Sequence, residues 1–271
     1  MQFLKSFDSE KIGYQIINQP QNSNNKIVVI PGFGGDINFL NRFLDELKTL
    51  NPRANLYFFS PRGHAFSSNN FPEGFDLENV YAQDFLAFIK YLNLKKFSVI
   101  GHSFGGFVIQ NYLNLPNSIQ PAQFFLICSA PRIGGIPFLK KTFYNLLARR
   151  SGDRKPFAYQ TPRFYEKFEK SWDIDLMRWF HDTVVMGGII NWILHFLSLS
   201  PWHNHNLTTL NQETGYYLYG EKDIIITKSQ QLNLLKKLPK INGLEINSGH
   251  LAPITNPEET AQLISLHINK L

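Results

Sequence analysis

The sequence predicts an α/β fold: a mostly parallel central sheet with helices on both faces and an all-helical cap inserted over one edge. Three observations support it. Lys26-Ile27-Val28-Val29-Ile30 is an unbroken run rich in β-branched residues, as in strands covered on both faces. From there to residue 128, strand-like runs alternate with stretches whose apolar residues recur at three and four, a pattern that builds a parallel sheet. The alternation then stops for roughly eighty residues, too long for an ordinary loop, and resumes at residue 215.

The first eight residues lack the apolar core of a leader and read as an opening strand. Residues 12–17 pair with it antiparallel, and Pro20 to Asn25 turns the chain. The run 26–30 ends in Pro31-Gly32-Phe33-Gly34-Gly35-Asp36, whose glycines let backbone N–H groups approach a developing negative charge. Apolar positions 40, 43, 44, 47 and 50 place a helix next. Residues 55–59 form a strand leading into Ser60-Pro61-Arg62-Gly63-His64-Ala65-Phe66-Ser67. Asp76 caps a long helix with Leu77, Tyr81, Phe85, Phe88 and Leu92 on its core side.

Residues 96–100 read as a short buried strand running into Gly101-His102-Ser103-Phe104-Gly105-Gly106. Apolar residues at 104, 108, 109 and 112 suit the helix that follows. A serine held between strand and helix by glycines two positions away on each side is a nucleophile-elbow pattern. Residues 124–128 are another strand, in which Cys128 is a buried packing residue.

The insertion covers residues 132–212, between core segments 1–131 and 213–271. Helical patterns occur at 138–150, 163–170, 174–183 and 184–199. Most of its many aromatic residues pack cap against sheet; Trp179, Trp192 and Phe196 are candidates to line an apolar acyl pocket. The apolar run 186–197 lacks a dense basic face, which favours a packed lid helix over a membrane contact. Arg149, Arg150, Arg154, Lys155 and Arg163 cluster as a solvated loop or as a docking patch for an acidic carrier protein or headgroup. His203 and His205 have no evident third ligand, so no metal is expected there.

Residues 215–219 restore the sheet and end at Gly220-Glu221-Lys222-Asp223. A helix capped by Thr227 turns Leu232, Leu235 and Leu238 inward. The last strand, 243–247, ends at Ser248-Gly249-His250. Asn256, Pro257 and Glu259 make a capping box for a closing helix that buries Ala261, Ile264 and Ile268.

Right-handed crossovers bring the loops after parallel strands to one sheet edge, so residues 31–35, 60–67 and 101–105 converge. A serine hydroxyl needs a base to take its proton and a carboxylate to orient that base. Among eight histidines, only His64, His102 and His250 lie at strand ends. His102 abuts Ser103 and points away from its hydroxyl, and His64 has no carboxylate in its loop. His250 has Asp223 at the end of the preceding strand. His250 is therefore the expected base and Asp223 its orienter, with Glu221 as the alternative acid.

At 271 residues, 43% apolar and 18% charged, the chain is long and apolar enough for a real core. Its net charge of +6 comes from scattered basic residues that match no nucleic-acid module. No uninterrupted apolar run reaches the ~18 residues of a membrane span. The single cysteine excludes an intramolecular disulfide. The expectation is a cytoplasmic protein needing neither metal nor cofactor.

Together, Gly101-His102-Ser103-Phe104-Gly105, Pro31-Gly32-Phe33-Gly34, Arg62-Gly63-His64 with Ser67, Gly220-Glu221-Lys222-Asp223 and Gly249-His250 resemble the α/β-hydrolase superfamily, in its cap-bearing serine esterase branch. The likeness covers residues 1–130 and 213–271. It implies Ser103 as nucleophile, Asp223 as acid, His250 as base and the backbone N–H groups of Phe33 and Phe104 as oxyanion hole. Gly32 and His102 join the substrate-facing candidates. Serine at the elbow separates the chain from members with an aspartate nucleophile. Pro31 stands where the family usually has His, and Pro61 where it usually has Asp. The expected reaction is hydrolysis of a carboxylic ester with an apolar acyl group through an acyl-enzyme, on a carrier-linked acyl ester or a lysolipid. Carbon–carbon or thioester hydrolysis by the same fold, and a ligand-receptor role, are the alternatives.

Overall fold

The computed structural model describes residues 1–21, 23–64, 66–73, 76–131, 142, 145–146, 204 and 206–268. Strands β1 (Gln2–Lys5), β2 (Lys11–Asn18), β3 (Lys26–Ile30), β4 (Asn55–Phe59), β5 (Ser98–His102), β6 (Gln123–Ile127), β7 (Gly215–Gly220) and β8 (Asn242–Ile246) form one sheet. Their order across it is β1-β2-β4-β3-β5-β6-β7-β8. The β1–β2 and β2–β4 pairs are antiparallel, and every other pair is parallel. The α-helical elements are α1 (Asn41–Leu50), α2 (Leu77–Tyr91), α3 (Phe104–Leu113), α4 (Lys228–Lys237), α5 (Ala252–Thr255) and α6 (Pro257–Ile268), and a 3-10 turn spans Leu207–Thr209.

The alternation of side chains along β3 explains the layering. Val28 and Ile30 join the core beneath α2 and α3, while Ile27 and Val29 join the core that includes α1 and α6. Because both faces are covered, β4, β5 and β6 are buried at every position. From β3 the chain moves outward to β4 and then returns past β3 to β5. That reversal opens a crevice at the carboxyl ends of β3 and β5, where open α/β sheets bind ligands.

Several elements differ in detail from the sequence expectations. Strand β5 is shifted to Ser98–His102, so it runs up to the serine itself. Cys128 is buried but lies just past β6, with φ 47°. In α4, Leu232 is exposed; Gln231 and Leu234 are buried, Leu235 packs partly buried against the core, and Leu238 continues the inward face. The helix is rotated to bury an amide: Gln231 Nε2 donates to the carbonyls of Ile226 at 2.6 Å and Gly220 at 3.3 Å. Leu50, at the end of α1, is also exposed. Asp76 occupies the N-cap of α2 without a side-chain capping bond; its carbonyl accepts from Asn79 and Val80 instead. Thr227 and Gln230 form the capping box of α4. Asn256 does not form one, because its N–H closes α5 on the Ala252 carbonyl and its side chain donates to Glu259.

The insertion leaves and rejoins the core at one place. Asn204 N–H donates to the Pro131 carbonyl at 2.7 Å. Its buried side chain bonds Gln110 and Asn114, pinning the returning chain to α3 and its end. Of the cap's helical patterns, 138–150 is described only at residues 142 and 145–146, which are helical; the other three patterns, Trp179, Trp192, Phe196, the basic cluster at 149–163, His203 and His205 lie outside the described residues. No helix among the described residues is long and apolar enough to cross a membrane.

Candidate active site

Ser103 sits between β5 and α3 with φ 48° and ψ −106°, a strained conformation for a residue with a Cβ. Its surroundings hold it there. The N–H donates to the Ile127 carbonyl at 2.8 Å, and the carbonyl accepts from Ser129 Oγ at 2.9 Å. The flanking glycines are required by contact. A Cβ on Gly101 would stand 2.5 Å from the Gly105 carbonyl, and one on Gly105 would stand 2.3 Å from the Ile30 oxygen. Backbone meets backbone at both points, so no side-chain movement could relieve the clash.

The other two predicted groups arrive from neighbouring strands. β7 and β8 pair in register up to Gly220 and Ile246, so the loops that follow them lie side by side. Lys222 N–H donates to the Ser248 carbonyl at 3.0 Å and joins the loops. His250 Nε2 then stands 2.8 Å from Ser103 Oγ, and His250 Nδ1 stands 3.0 Å from Asp223 Oδ2. An ionised carboxylate only accepts, which assigns the proton to Nδ1 and leaves the Nε2 lone pair facing the serine hydroxyl.

Asp223 is buried. Burial alone would raise its pKa, but the hydrogen bond and charge of His250, together with the N–H groups of Ile226 and Ile225, outweigh it. Both N–H groups reach Oδ1 at 2.8 Å. The net pKa lies below the usual carboxylate value, so Asp223 stays ionised beside the imidazole. Glu221 is exposed, and its N–H is bound to the Ile246 carbonyl at 3.0 Å; the acid bonded to His250 is Asp223.

The β3 loop approaches from the other side. Gly35 N–H closes a turn on the Gly32 carbonyl at 2.9 Å, and the buried Asp36 carboxylate accepts from the N–H groups of Asn38 and Phe39. The Phe33 and Phe104 rings meet edge to face at 5.6 Å, so these two residues are neighbours across the crevice. Phe104 opens α3, where the first N–H groups have no partner within the helix. A cleft lined by Pro31, Gly32, Phe33, Gly35, Phe39, Leu40, His102, Ser103, His250, Leu251 and Ile254 lies between the loops.

The remaining strand-end histidines have different surroundings. His102 Nε2 lies 2.8 Å from the His250 carbonyl oxygen. Burial, and then the neighbouring His250, push its pKa down to about 4. His64 is buried, with Nδ1 3.0 Å from the Arg62 carbonyl and its ring stacked on Phe104 at 5.0 Å. Burial lowers its pKa to about 4 as well. It packs beneath the two phenylalanines.

Sequence reasoning missed two features. Arg62 is fully buried and binds Asp84 through Nε at 2.9 Å and Nη2 at 2.7 Å. It also binds Asp8 through Nη1 at 2.6 Å and Nη2 at 2.8 Å. The available signal was Asp84, an acid on the same helical face as Tyr81, Phe85 and Phe88. The apolar cleft residues Phe39, Leu40, Leu251 and Ile254 were also missed; their signal was position, just after the β3 loop or just after His250. Among the described residues, no cluster of three or more His, Cys, Asp or Glu could hold a metal.

Comparison with known proteins agrees with this architecture. A hydrolase from Pseudomonas aeruginosa PA01 is similar at TM-score 0.72 and 14% identity, covering 100% of this chain and 98% of that one. A thermophilic esterase from Thermogutta terrifontis gives 0.71 and 16%, covering 100% and 99%. An esterase from Exiguobacterium antarcticum gives 0.71 and 19%, covering 99% of each chain. At these identities the likeness establishes the fold alone. No curated protein matches the chain. The family model described as "Alpha/beta hydrolase family" matches residues 27–263, and the chain belongs to that family.

Proposed function

We propose that this member of the alpha/beta hydrolase family is a serine hydrolase that cleaves a carboxylic ester with an apolar acyl group. The observation that carries the reading is the unbroken chain Ser103 Oγ, His250 Nε2, His250 Nδ1, Asp223 Oδ2, with steps of 2.8 and 3.0 Å, at the lip of a largely apolar cleft.

In the cycle, Ser103 Oγ attacks the ester carbonyl carbon while His250 Nε2 takes the hydroxyl proton. The carbonyl electron pair moves onto oxygen, and the N–H groups of Phe33 and Phe104 receive the oxyanion, each worth about 3 kcal/mol in the transition state. Collapse of the intermediate breaks the bond to the alcohol oxygen, which leaves with the proton from His250. A water molecule, deprotonated in turn by His250, attacks the acyl-enzyme and releases the acid and Ser103. Asp223 remains ionised and holds the imidazolium. Phe39, Leu40, Leu251 and Ile254 supply apolar wall for the substrate. Two structural relatives named as esterases support the substrate class. In this reading the cap expected from the sequence at residues 132–212, most of which lie outside the described residues, covers the cleft, and Trp179, Trp192 and Phe196 are its candidates for the acyl pocket. The basic cluster around Arg149 is the docking patch if the acyl group arrives on an acidic carrier.

Fluorophosphonate labelling tests the nucleophile. The wild type takes up one equivalent and gives a burst from a p-nitrophenyl acyl ester. Ser103→Ala abolishes both, with turnover down at least ~10⁴-fold; intact turnover in this variant overturns the proposal. A panel of acyl lengths, thioesters and vinylogous diketones then ranks the substrates. Reversing Arg149, Arg150 and Arg154 leaves carrier-linked turnover unchanged if no carrier docks there.

A further inference from the structure

We propose that His102 is a positioning residue whose imidazole spans from the β3 loop to the loop carrying the base and so sets where His250 stands over Ser103. The inference rests on the reading of Ser103 as nucleophile and His250 as base.

His102 is the last residue of β5, directly before the serine, and is only 4% exposed. A backbone carbonyl can only accept, so the 2.8 Å contact between Nε2 and the His250 oxygen places the ring proton on Nε2 and fixes the tautomer. The opposite edge of the ring lies against Gly32. A Cβ on Gly32 would come 2.7 Å from Nδ1 and 3.1 Å from Cε1, so the imidazole fills the space a side chain there would need. One rigid ring thus touches the loop bearing Phe33 at one edge and grips the backbone of the base at the other. Its centroid is 5.6 Å from that of His250, with the planes tilted by 50°, so the two rings neither stack nor exchange a hydrogen bond. Burial holds the pKa of His102 down to about 4, and Nε2–H donates to the His250 carbonyl whether the ring is neutral or protonated.

No hydrogen bond joins His102 to Ser103 Oγ, so its effect on the chemistry passes through His250. Displacing a catalytic group by about 1 Å costs roughly 100-fold in rate, and a free His250 carbonyl permits such a displacement. An effect passed through His250 falls on kcat, whereas a direct contact of the ring with the ester, which its place in the cleft lining permits, would fall on KM.

The test uses His102→Gln, His102→Asn and His102→Leu, with kcat and KM measured per fluorophosphonate-titrated active site and Tm recorded for each. Gln carries an Nε2 donor that reaches the same carbonyl; Asn is one methylene too short, and Leu has no donor. Expected are kcat losses of about 10–100-fold in Asn and Leu at nearly unchanged KM, with Gln within about threefold of wild type. If Leu does not fold, the Gln–Asn pair decides alone. Wild-type kcat in Asn overturns the proposal, as does an equal loss in Gln and Asn. A rise in KM at constant kcat also overturns it and makes His102 a substrate contact. Failure of the underlying reading looks different: the wild type is then not labelled at all.

Discussion

The proton on His250 Nδ1 decides what Ser103 can do, and Asp223 decides where that proton sits. Asp223→Asn keeps an Oδ1 acceptor for the Ile225 and Ile226 N–H groups but can turn its NH₂ toward Nδ1. The imidazole then carries its proton on Nε2, facing a hydroxyl it can no longer deprotonate. The expected result is a kcat loss of about 10⁴-fold with the urea midpoint little changed, checked by steady-state kinetics and denaturation on one preparation. Glu221→Gln leaves kcat alone, because Glu221 is exposed and His250 is bonded to the other acid. These three side chains were legible in the sequence because each sits at a strand end marked by local residue types. The role of His102 was not legible. Its partner is a backbone oxygen 148 positions away, and no residue type announces that.

Among the elements, the loop after β4 depends on a charge the sequence pattern hid. Arg62, with no exposed surface, joins this loop to α2 through Asp84 and to the N-terminal hairpin through Asp8. Asp84 is fully buried, so Arg62→Met leaves a carboxylate without its cation in the core. The expected destabilisation is about 3–5 kcal/mol by urea unfolding. Arg62→Met with Asp84→Leu recovers much of it, because the stranded charge is gone. Equal stability of the single variant and wild type would refute this role for the pair. Apolar periodicity placed the core face of α2 correctly but missed the acid on it, and in α4 it turned Leu232 inward where Gln231 is buried instead. A buried acid in α2 and a buried amide in α4 look like solvent-facing residues until their partners, Arg62 and the Gly220 carbonyl, are brought alongside.

For the whole molecule, two buried neutral histidines set a cost for acidification. His64 and His102 titrate at about 4 in the folded protein against 6.5 when free, so the unfolded chain binds their protons first. Stability therefore falls as pH drops from 6.5 to about 4, by up to roughly 3 kcal/mol for each, and levels off below. His64→Gln removes one such group outside the proposed relay. Its urea midpoint falls less steeply than that of the wild type over this window, and parallel curves would refute the assignment. The sequence by itself determined the strand–helix alternation, the elbow with its serine, the expected base and two candidate acids. Those features rest on local sterics and on apolar patterns with a period of a few residues. The tertiary structure alone decided the choice of Asp223 over Glu221, the reach between Oγ and Nε2, the pairing of Arg62, the face α4 turns inward and the span of His102 between two loops. Each is a contact between segments far apart in the chain, fixed only when both faces of the sheet are covered and the loops after its strands are brought to one crevice.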